Sequence, residues 1–123
     1  MTWELKTDRP IYTQLADHIK IGIISGRYLP GDKLPSVRDL AEEAAVNPNT
    51  MQKALVELER LGMVYTQRTN GRYITEDVTM LHNLKESIAK EQIAEFFKSM
   101  EMLGFSKLEI IQILEKEGKE TVQ

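Results

Sequence analysis

The fold is decided by residues 36–62, which read SVRDLAEEAAVNPNTMQKALVELERLG. Ser36 is a favourable N-cap, and Asp39 three residues later can complete a weak capping box, so a short helix is expected to begin here. Asn47 followed by Pro48 is typical of another helix start, because asparagine caps free N–H groups and proline suits the first helical position. The segment therefore predicts two helices joined by a tight turn.

A further helix is expected upstream, because an apolar residue recurs at every fourth position, at Ile11, Leu15, Ile19 and Ile23. Gln14 falls between these positions and is expected on the polar face of that helix. A loop rich in proline and glycine follows, in which Lys33 and Leu34 could form a short strand.

A β-hairpin is predicted directly after the two central helices. Two short runs rich in Val, Tyr, Thr and Ile, residues 63–67 and 72–75, flank the pair Asn70-Gly71. Both residues of this pair tolerate the positive φ angles of a type I′ turn, which makes Asn-Gly a strong hairpin signal. Three helices followed by a hairpin predict a winged helix-turn-helix.

The last third of the chain predicts two helices with apolar faces. A helical pattern runs from Val78 to Met102, Gly104 interrupts it, and Ser106 with Glu109 forms a capping box for the final helix. Such a pair cannot bury its apolar face alone, so we expect it to pair two copies of the chain. The residues expected at this homodimer interface are Leu81, Leu84, Ile88, Ile93, Phe96, Phe97, Met100, Leu103, Phe105, Leu108, Ile111 and Leu114.

These patterns together predict an α+β fold that is mostly α. A winged helix-turn-helix of three helices and a two-stranded wing is expected over residues 1–77. A helical dimerisation segment of two helices is expected over residues 78–123. The first segment is the candidate DNA-binding domain.

The helix that opens at Asn47 carries polar residues opposite its apolar stripe, so its first turn can enter a major groove. Asparagine and glutamine can pair there with adenine, and lysine with guanine or phosphate. Neighbouring cations lie where a DNA backbone should pass, although a salt bridge to Glu42 is a competing interpretation for Arg38. The residues expected to contact double-stranded DNA are Lys33, Ser36, Arg38, Asn47, Pro48, Asn49, Thr50, Gln52, Lys53, Arg68, Asn70, Gly71 and Arg72.

Four motifs make the sequence resemble the GntR family of bacterial regulators over residues 9–77. They are Pro10-Ile11-Tyr12-x-Gln14, Leu34-Pro35-Ser36-x-Arg38-x-Leu40-Ala41, Val46-Asn47-Pro48-Asn49-Thr50-Met51-x-Lys53-Ala54-Leu55 and Leu58-x-x-Leu61-Gly62. The resemblance implies that Arg38, the segment from Asn47 to Lys53 and the wing tip contact DNA. Two departures are visible: Thr69 replaces the first glycine of the usual wing motif, and Ala45 stands where the tight turn often has glycine.

The short helical tail resembles the YtrA-type branch of that family. In that branch a small helical segment replaces a larger effector domain and mediates dimerisation. The resemblance implies a repressor, often of transporter operons.

The composition favours a globular protein without catalytic or metal chemistry. The formal net charge is −3, so any attraction to DNA must be local, and the absence of cysteine excludes thiolate sites and disulfides. His18 and His82 are isolated, and no phosphate-binding glycine loop or nucleophile elbow occurs, so neither an enzyme, a metal site nor a cofactor is expected. An export signal and an apolar run of about 20 residues are also lacking, which predicts a cytoplasmic protein without membrane contact.

Two alternatives stay open from the sequence. Winged-helix folds also serve as protein-interaction modules, so the chain could be an adaptor whose C-terminal helices bind a partner protein. A small-molecule effector is also compatible with the sequence, but no residue pattern identifies one.

Overall fold

The computed structural model describes residues 3–122, with side chains to residue 121. Residues 1, 2 and 123, the outermost residues of the two predicted segments, lie outside the described residues. The elements are α1 (Ile11–Ile24), α2 (Val37–Ala44), α3 (Pro48–Arg60), β1 (Val64–Gln67), β2 (Gly71–Ile74), α4 (Val78–Met102) and α5 (Lys107–Val122). The predicted fold class, mostly α with a two-stranded wing and two C-terminal helices, is confirmed.

The chain forms two compact units that divide between Asn83 and Leu84, inside α4. The sequence-based division lies at residue 77, just before α4 begins. The assignment of DNA binding to one segment and dimerisation to the other stays a prediction.

The core of the first unit lies where α1, α2 and the strand β1 meet α3. Burial follows the predicted apolar spacing, because one side of each helix carries the apolar residues. The largest fully buried side chains of this unit are Leu15, Ile19, Leu40, Met51, Leu55, Leu58, Met63 and Ile74. This core fixes α3 as the central element and leaves its opposite side exposed.

Gln14 lies in the core of the first unit, so its predicted place on a polar face was wrong. The side chain is 5% exposed, and its amide binds the segment that precedes α1. Its Oε1 accepts from the Lys6 N–H at 2.7 Å, and its Nε2 donates to the Lys6 and Arg9 carbonyls at 2.7 and 3.0 Å. The burial is tolerated because the amide group is hydrogen-bonded through both its oxygen and its nitrogen.

The predicted limits of α4 and the predicted start of α5 are confirmed. α4 ends at Met102, and α5 opens with the predicted capping box. The Ser106 N–H donates to Glu109 Oε1 at 2.9 Å, and the Glu109 N–H donates to Ser106 Oγ at 3.1 Å. Within residues 3–122, no helix combines the length and apolar character needed to cross a membrane.

Candidate nucleic-acid interface

The turn between α2 and α3 sets the direction of α3. Ser36 Oγ accepts from the Asp39 N–H at 3.1 Å at the start of α2, which confirms the predicted cap. At the other end Ala45 adopts a left-handed conformation with φ 58°, and the Val46 N–H donates to the Ala41 carbonyl at 2.9 Å. A left-handed residue other than glycine costs about 1–2 kcal/mol. The surrounding core therefore holds this turn against a local backbone preference.

The first turn of α3 is exposed, as the sequence predicts. Asn47 is the cap, because its Oδ1 accepts from the Asn49 N–H at 2.7 Å. Asn49, Gln52 and Lys53 are exposed, whereas Thr50 is half-buried. The N-terminal end of α3 thus offers exposed polar side chains and the partial positive charge of the helix terminus.

Lys53 packs on an aromatic ring that the sequence did not associate with it. Its Nζ lies 4.1 Å from the centroid of the Tyr12 ring, which belongs to α1. A cation over an aromatic face at an exposed site is worth about 0.5–1 kcal/mol. Tyr12 therefore restrains the ammonium group at the start of α3. The Pro10-Ile11-Tyr12 motif singles out Tyr12 in the sequence, but it does not indicate that Lys53 is the residue that packs on its ring.

Arg38 is exposed on the first turn of α2. Across residues 3–122 it forms no salt bridge with Glu42, the competing interpretation from the sequence. Its guanidinium is therefore available to a ligand.

The wing is a short antiparallel hairpin, extended by a bridge to the loop before α2. Val64 pairs with Ile74 and Gln67 with Gly71, and Lys33 forms an isolated antiparallel bridge with Tyr73. The predicted strand at Lys33-Leu34 is thus present as a single bridge. It ties the loop of Lys33 to the wing.

The wing turn differs from the predicted type I′ turn. The Asn70 N–H donates to the Gln67 carbonyl at 3.1 Å, so Arg68 and Thr69 are the central residues of the turn. Gly71 has φ 96°, but Asn70 does not have a positive φ, and a type I′ turn needs two such residues in succession. The prediction failed because it assumed a two-residue loop. Gly71 still supplies the left-handed residue that closes the loop.

Arg72 differs from the other predicted DNA contacts, because its guanidinium is directed at α3. Its Nε–H donates to Glu59 Oε1 in an ion pair that leaves the Arg72 side chain only 16% exposed. The Thr66 hydroxyl donates to the same oxygen at 2.6 Å. The Thr66 hydrogen bond, followed by the Arg72 interaction, holds the pKa of Glu59 below its ordinary value, although partial desolvation opposes the shift.

The start of α2 and the wing tip face one another across a cleft of about 290 Å³. Lys33 and Ser36 line one side, and Asn70, Gly71 and Arg72 line the other. The structure therefore brings together two separate segments of the predicted DNA-contact set, the start of α2 with its preceding loop and the wing. Arg68 is exposed at the wing turn and does not line this cleft.

His18 stacks on Trp3 with ring centroids 3.8 Å apart, and burial, followed by the charge of Arg27, lowers its pKa. In the part of the chain that the structure describes, no cluster of three or more histidine, aspartate or glutamate residues could hold a metal ion.

Known proteins match the whole region from α1 to β2. The family described as "Bacterial regulatory proteins, gntR family" matches residues 11–74. The chain belongs to the GntR family. It is therefore a DNA-binding transcriptional regulator and not an enzyme, and the resemblance found in the sequence is confirmed.

Three similar proteins illustrate the match of this GntR-family chain. The HTH-type transcriptional repressor YtrA of Bacillus subtilis is 45% identical over 89 residues, which cover 72% of this chain and 68% of the relative. A GntR family transcriptional regulator from Listeria monocytogenes superposes with a TM-score of 0.83 at 41% identity, covering 91% of this chain and 98% of the other. The DNA-binding domain of AraR in complex with operator ORE1 has a TM-score of 0.53 at 26% identity, covering 61% and 94%.

The second unit of the GntR-family chain leaves most of its predicted dimer residues accessible. Leu81 differs, because it is 8% exposed and belongs to the first unit. Leu84, Ile88, Phe97, Met100 and Phe105 are half-buried. The exposed members are Ile93, Phe96, Leu103, Leu108, Ile111 and Leu114, which we call the C-terminal apolar surface.

Proposed function

We propose that this GntR-family chain is a repressor that binds an inverted-repeat operator as a homodimer in the cytoplasm. Residues 1–77 would bind double-stranded DNA, and residues from α4 onward would pair two copies. A transporter operon is the first target to examine, because the sequence resembles the YtrA-type branch. The similarity to a relative named as a repressor supports repression over activation.

The observation that carries the proposal is the exposed start of α3. Its apolar residues are sealed against α1 and α2, while Asn49, Gln52 and Lys53 are exposed. A helix placed in this way after a tight turn can insert its first turn into a major groove. A solved structure of similar fold, the DNA-binding domain of AraR, is in complex with an operator, which supports DNA binding by this fold.

The C-terminal apolar surface supports the homodimer. Leu108 is 65% exposed, and the other members are at least 42% exposed. Large apolar side chains exposed in this number on two helices favour an interaction site. A two-fold dimer presents two copies of α3, so its operator must be an inverted repeat.

Selection from random duplex oligonucleotides tests the proposal directly. We expect the full-length protein to enrich an inverted repeat whose half-sites are about 10–10.5 base pairs, or a multiple of that spacing, apart. Footprinting on the enriched duplex should protect both half-sites. Failure to enrich any sequence, or enrichment of a single asymmetric site, would contradict the proposal.

Gln52 is expected to contribute to sequence specificity. Replacing it with alanine should relax the preference at one or two base pairs by about 1–3 kcal/mol each, because base contacts carry sequence information. Repeating the selection with the Gln52→Ala variant measures this effect. Gln92→Ala is the matched control, because Gln92 is an exposed glutamine in α4 and should leave the selected sequence unchanged.

A further inference from the structure

Glu59 joins the C-terminal part of α3 to both strands of the wing. Its Oε1 accepts from Thr66 in β1 and from Arg72 in β2, and its side chain is 31% exposed. Hydrogen bonds to an ionised group are about twice as strong as neutral ones, and partial burial strengthens them further. One carboxylate oxygen therefore holds the helix and the hairpin together.

A second acidic residue of α3 shows what is unusual about this arrangement. Glu57 also forms an ion pair, but its partner is Arg60 in the same helix, at the i+3 position. That pair is on the surface and connects the helix only to itself. Glu59, by contrast, connects two elements that are both expected at DNA.

We propose that Glu59 is a positioning residue that fixes the wing relative to the DNA-reading helix. In this arrangement Arg68 at the wing turn is the cation that reaches the DNA backbone, and Arg72 stays inside the protein as the wing's anchor. The proposal rests on the proposed DNA-binding function. It assigns an indirect role to Glu59 and replaces the direct role that the sequence suggested for Arg72.

Glu59 could instead oppose DNA binding, and the affinity of a variant without Glu59 distinguishes the two roles. If Arg72 contacts phosphate during binding, the Glu59 carboxylate competes with DNA for it. Removing Glu59 would then release a cation and strengthen binding. A positioning residue predicts weaker binding instead, because the wing loses its fixed orientation.

The test compares Glu59→Ala, Arg72→Ala and the double variant with the full-length wild-type protein on the selected operator, at several salt concentrations. We expect each variant, including the double, to weaken binding by about three- to tenfold and to lower the slope of log affinity against log salt by about 1, the loss of one phosphate contact. The double variant should be no weaker than either single variant, because both remove the same link. Glu57→Ala is the matched control and should bind as the wild type does.

Several outcomes would overturn the proposal. Tighter binding and a steeper salt slope for Glu59→Ala would assign Arg72 to the DNA, and additive losses in the double variant would show independent roles. Hydrogen exchange on the free protein gives a second readout, in which Glu59→Ala should raise exchange in β1 and β2 but not in α1. Unchanged exchange there would also refute the proposal. If Glu59→Ala lowers overall stability, Thr66→Val removes one of the two links more gently and should show a smaller effect in the same direction.

The wild-type protein separates failure of this proposal from failure of the proposed function. If it selects no operator, the DNA-binding role itself fails. If it binds an operator and Glu59→Ala binds equally well, only the positioning role fails.

Discussion

The two units differ in how far their large apolar side chains are buried. The unit up to Asn83 buries most of them, whereas the unit from Leu84 onward leaves most of them exposed or half-buried. Of the nine largest fully buried side chains in the described part of the chain, eight lie in the first unit, and only Ile110 lies in the second. The first unit exposes polar and charged side chains on the face proposed to contact DNA, whereas the second exposes leucine, isoleucine and phenylalanine. The difference teaches that the first unit buries a core of its own, whereas the exposed apolar side chains of the second are what the proposed dimer would cover.

Ending the chain at Asn83 gives the strongest test of this contrast. The fragment should fold, because the fully buried core from Leu15 to Ile74 is retained, but it should be monomeric. Operator affinity should fall by about 10²–10⁴-fold, because the second half-site is no longer bound intramolecularly. Circular dichroism, sedimentation and a mobility-shift titration measure these three properties.

A dimeric fragment, or one that binds the operator as tightly as the full chain, would contradict the proposed role of the second unit in dimerisation. The adaptor interpretation makes a different prediction for the same fragment. If the chain is an adaptor, the fragment should no longer bind its protein partner, and neither the fragment nor the full chain should bind an operator.

A single charge on the C-terminal apolar surface should have the next largest effect. Leu114 is 43% exposed in α5, so Leu114→Glu costs the monomer little but buries a charge in the proposed dimer. We expect the dimer to dissociate at least about tenfold more readily, which corresponds to 1.4 kcal/mol. Sedimentation over a range of protein concentrations measures the change.

Gln112→Glu is the matched control for this prediction. It adds the same charge two residues away, on the other side of α5, because each residue of a helix turns about 100°. Equal dissociation of both variants would indicate that charge on α5, and not the apolar surface, controls assembly.

Arg38 tests the polar surface of the first unit. Arg38→Ala should weaken operator binding by about three- to tenfold for all sequences and lower the salt slope by about 1, because the guanidinium is free to contact phosphate. Lys116→Ala removes one exposed cation from α5 and serves as the control. Equal affinity of the Arg38 variant and the wild type in a mobility-shift titration would count against the predicted contact.

The parts of the fold that follow from local signals could be predicted from the sequence. The caps at Ser36 and Asn47, the limits of α4 and the capping box at Ser106 depend on residues only a few positions apart. Such signals can be recognised in the sequence because capping and helical periodicity are properties of short segments. The start of α3 was predicted for the same reason.

Contacts between distant segments could not be predicted in this way. Glu59 and Arg72 are 13 residues apart, and the spacing of charges in the sequence does not reveal that the wing folds back on α3. Gln14 is buried because the segment before α1 folds over it, and the pairing of Lys53 with Tyr12 depends on how α1 packs against α3. The sequence therefore predicted that the start of α3 is exposed but not how the neighbouring side chains are held.

The smallest expected effect is a pH response of the capping box at the start of α5, which tests the contrast between the units from the second unit. The Ser106 N–H, followed by the Ser106 hydroxyl, lowers the pKa of Glu109 below its ordinary value. A carboxyl group with a lowered pKa stabilises the folded form fully above the ordinary glutamate pKa of about 4.3, and this contribution is lost as pH falls through the lower folded value. We expect the chemical shift of the Ser106 amide to titrate in that acidic range, and Glu109→Gln should abolish the titration.

This small effect should be local, because the carboxylate is exposed and its hydrogen bonds stay within the first turn of α5. The Asp39 N–H, which donates to the Ser36 hydroxyl in the first unit, has no carboxylate acceptor and should not respond to the Glu109 substitution. If Glu109→Gln instead shifted amides throughout the first unit, the two units would be coupled through α4. The distinction between a self-sufficient first unit and an incomplete second unit would then have to be abandoned.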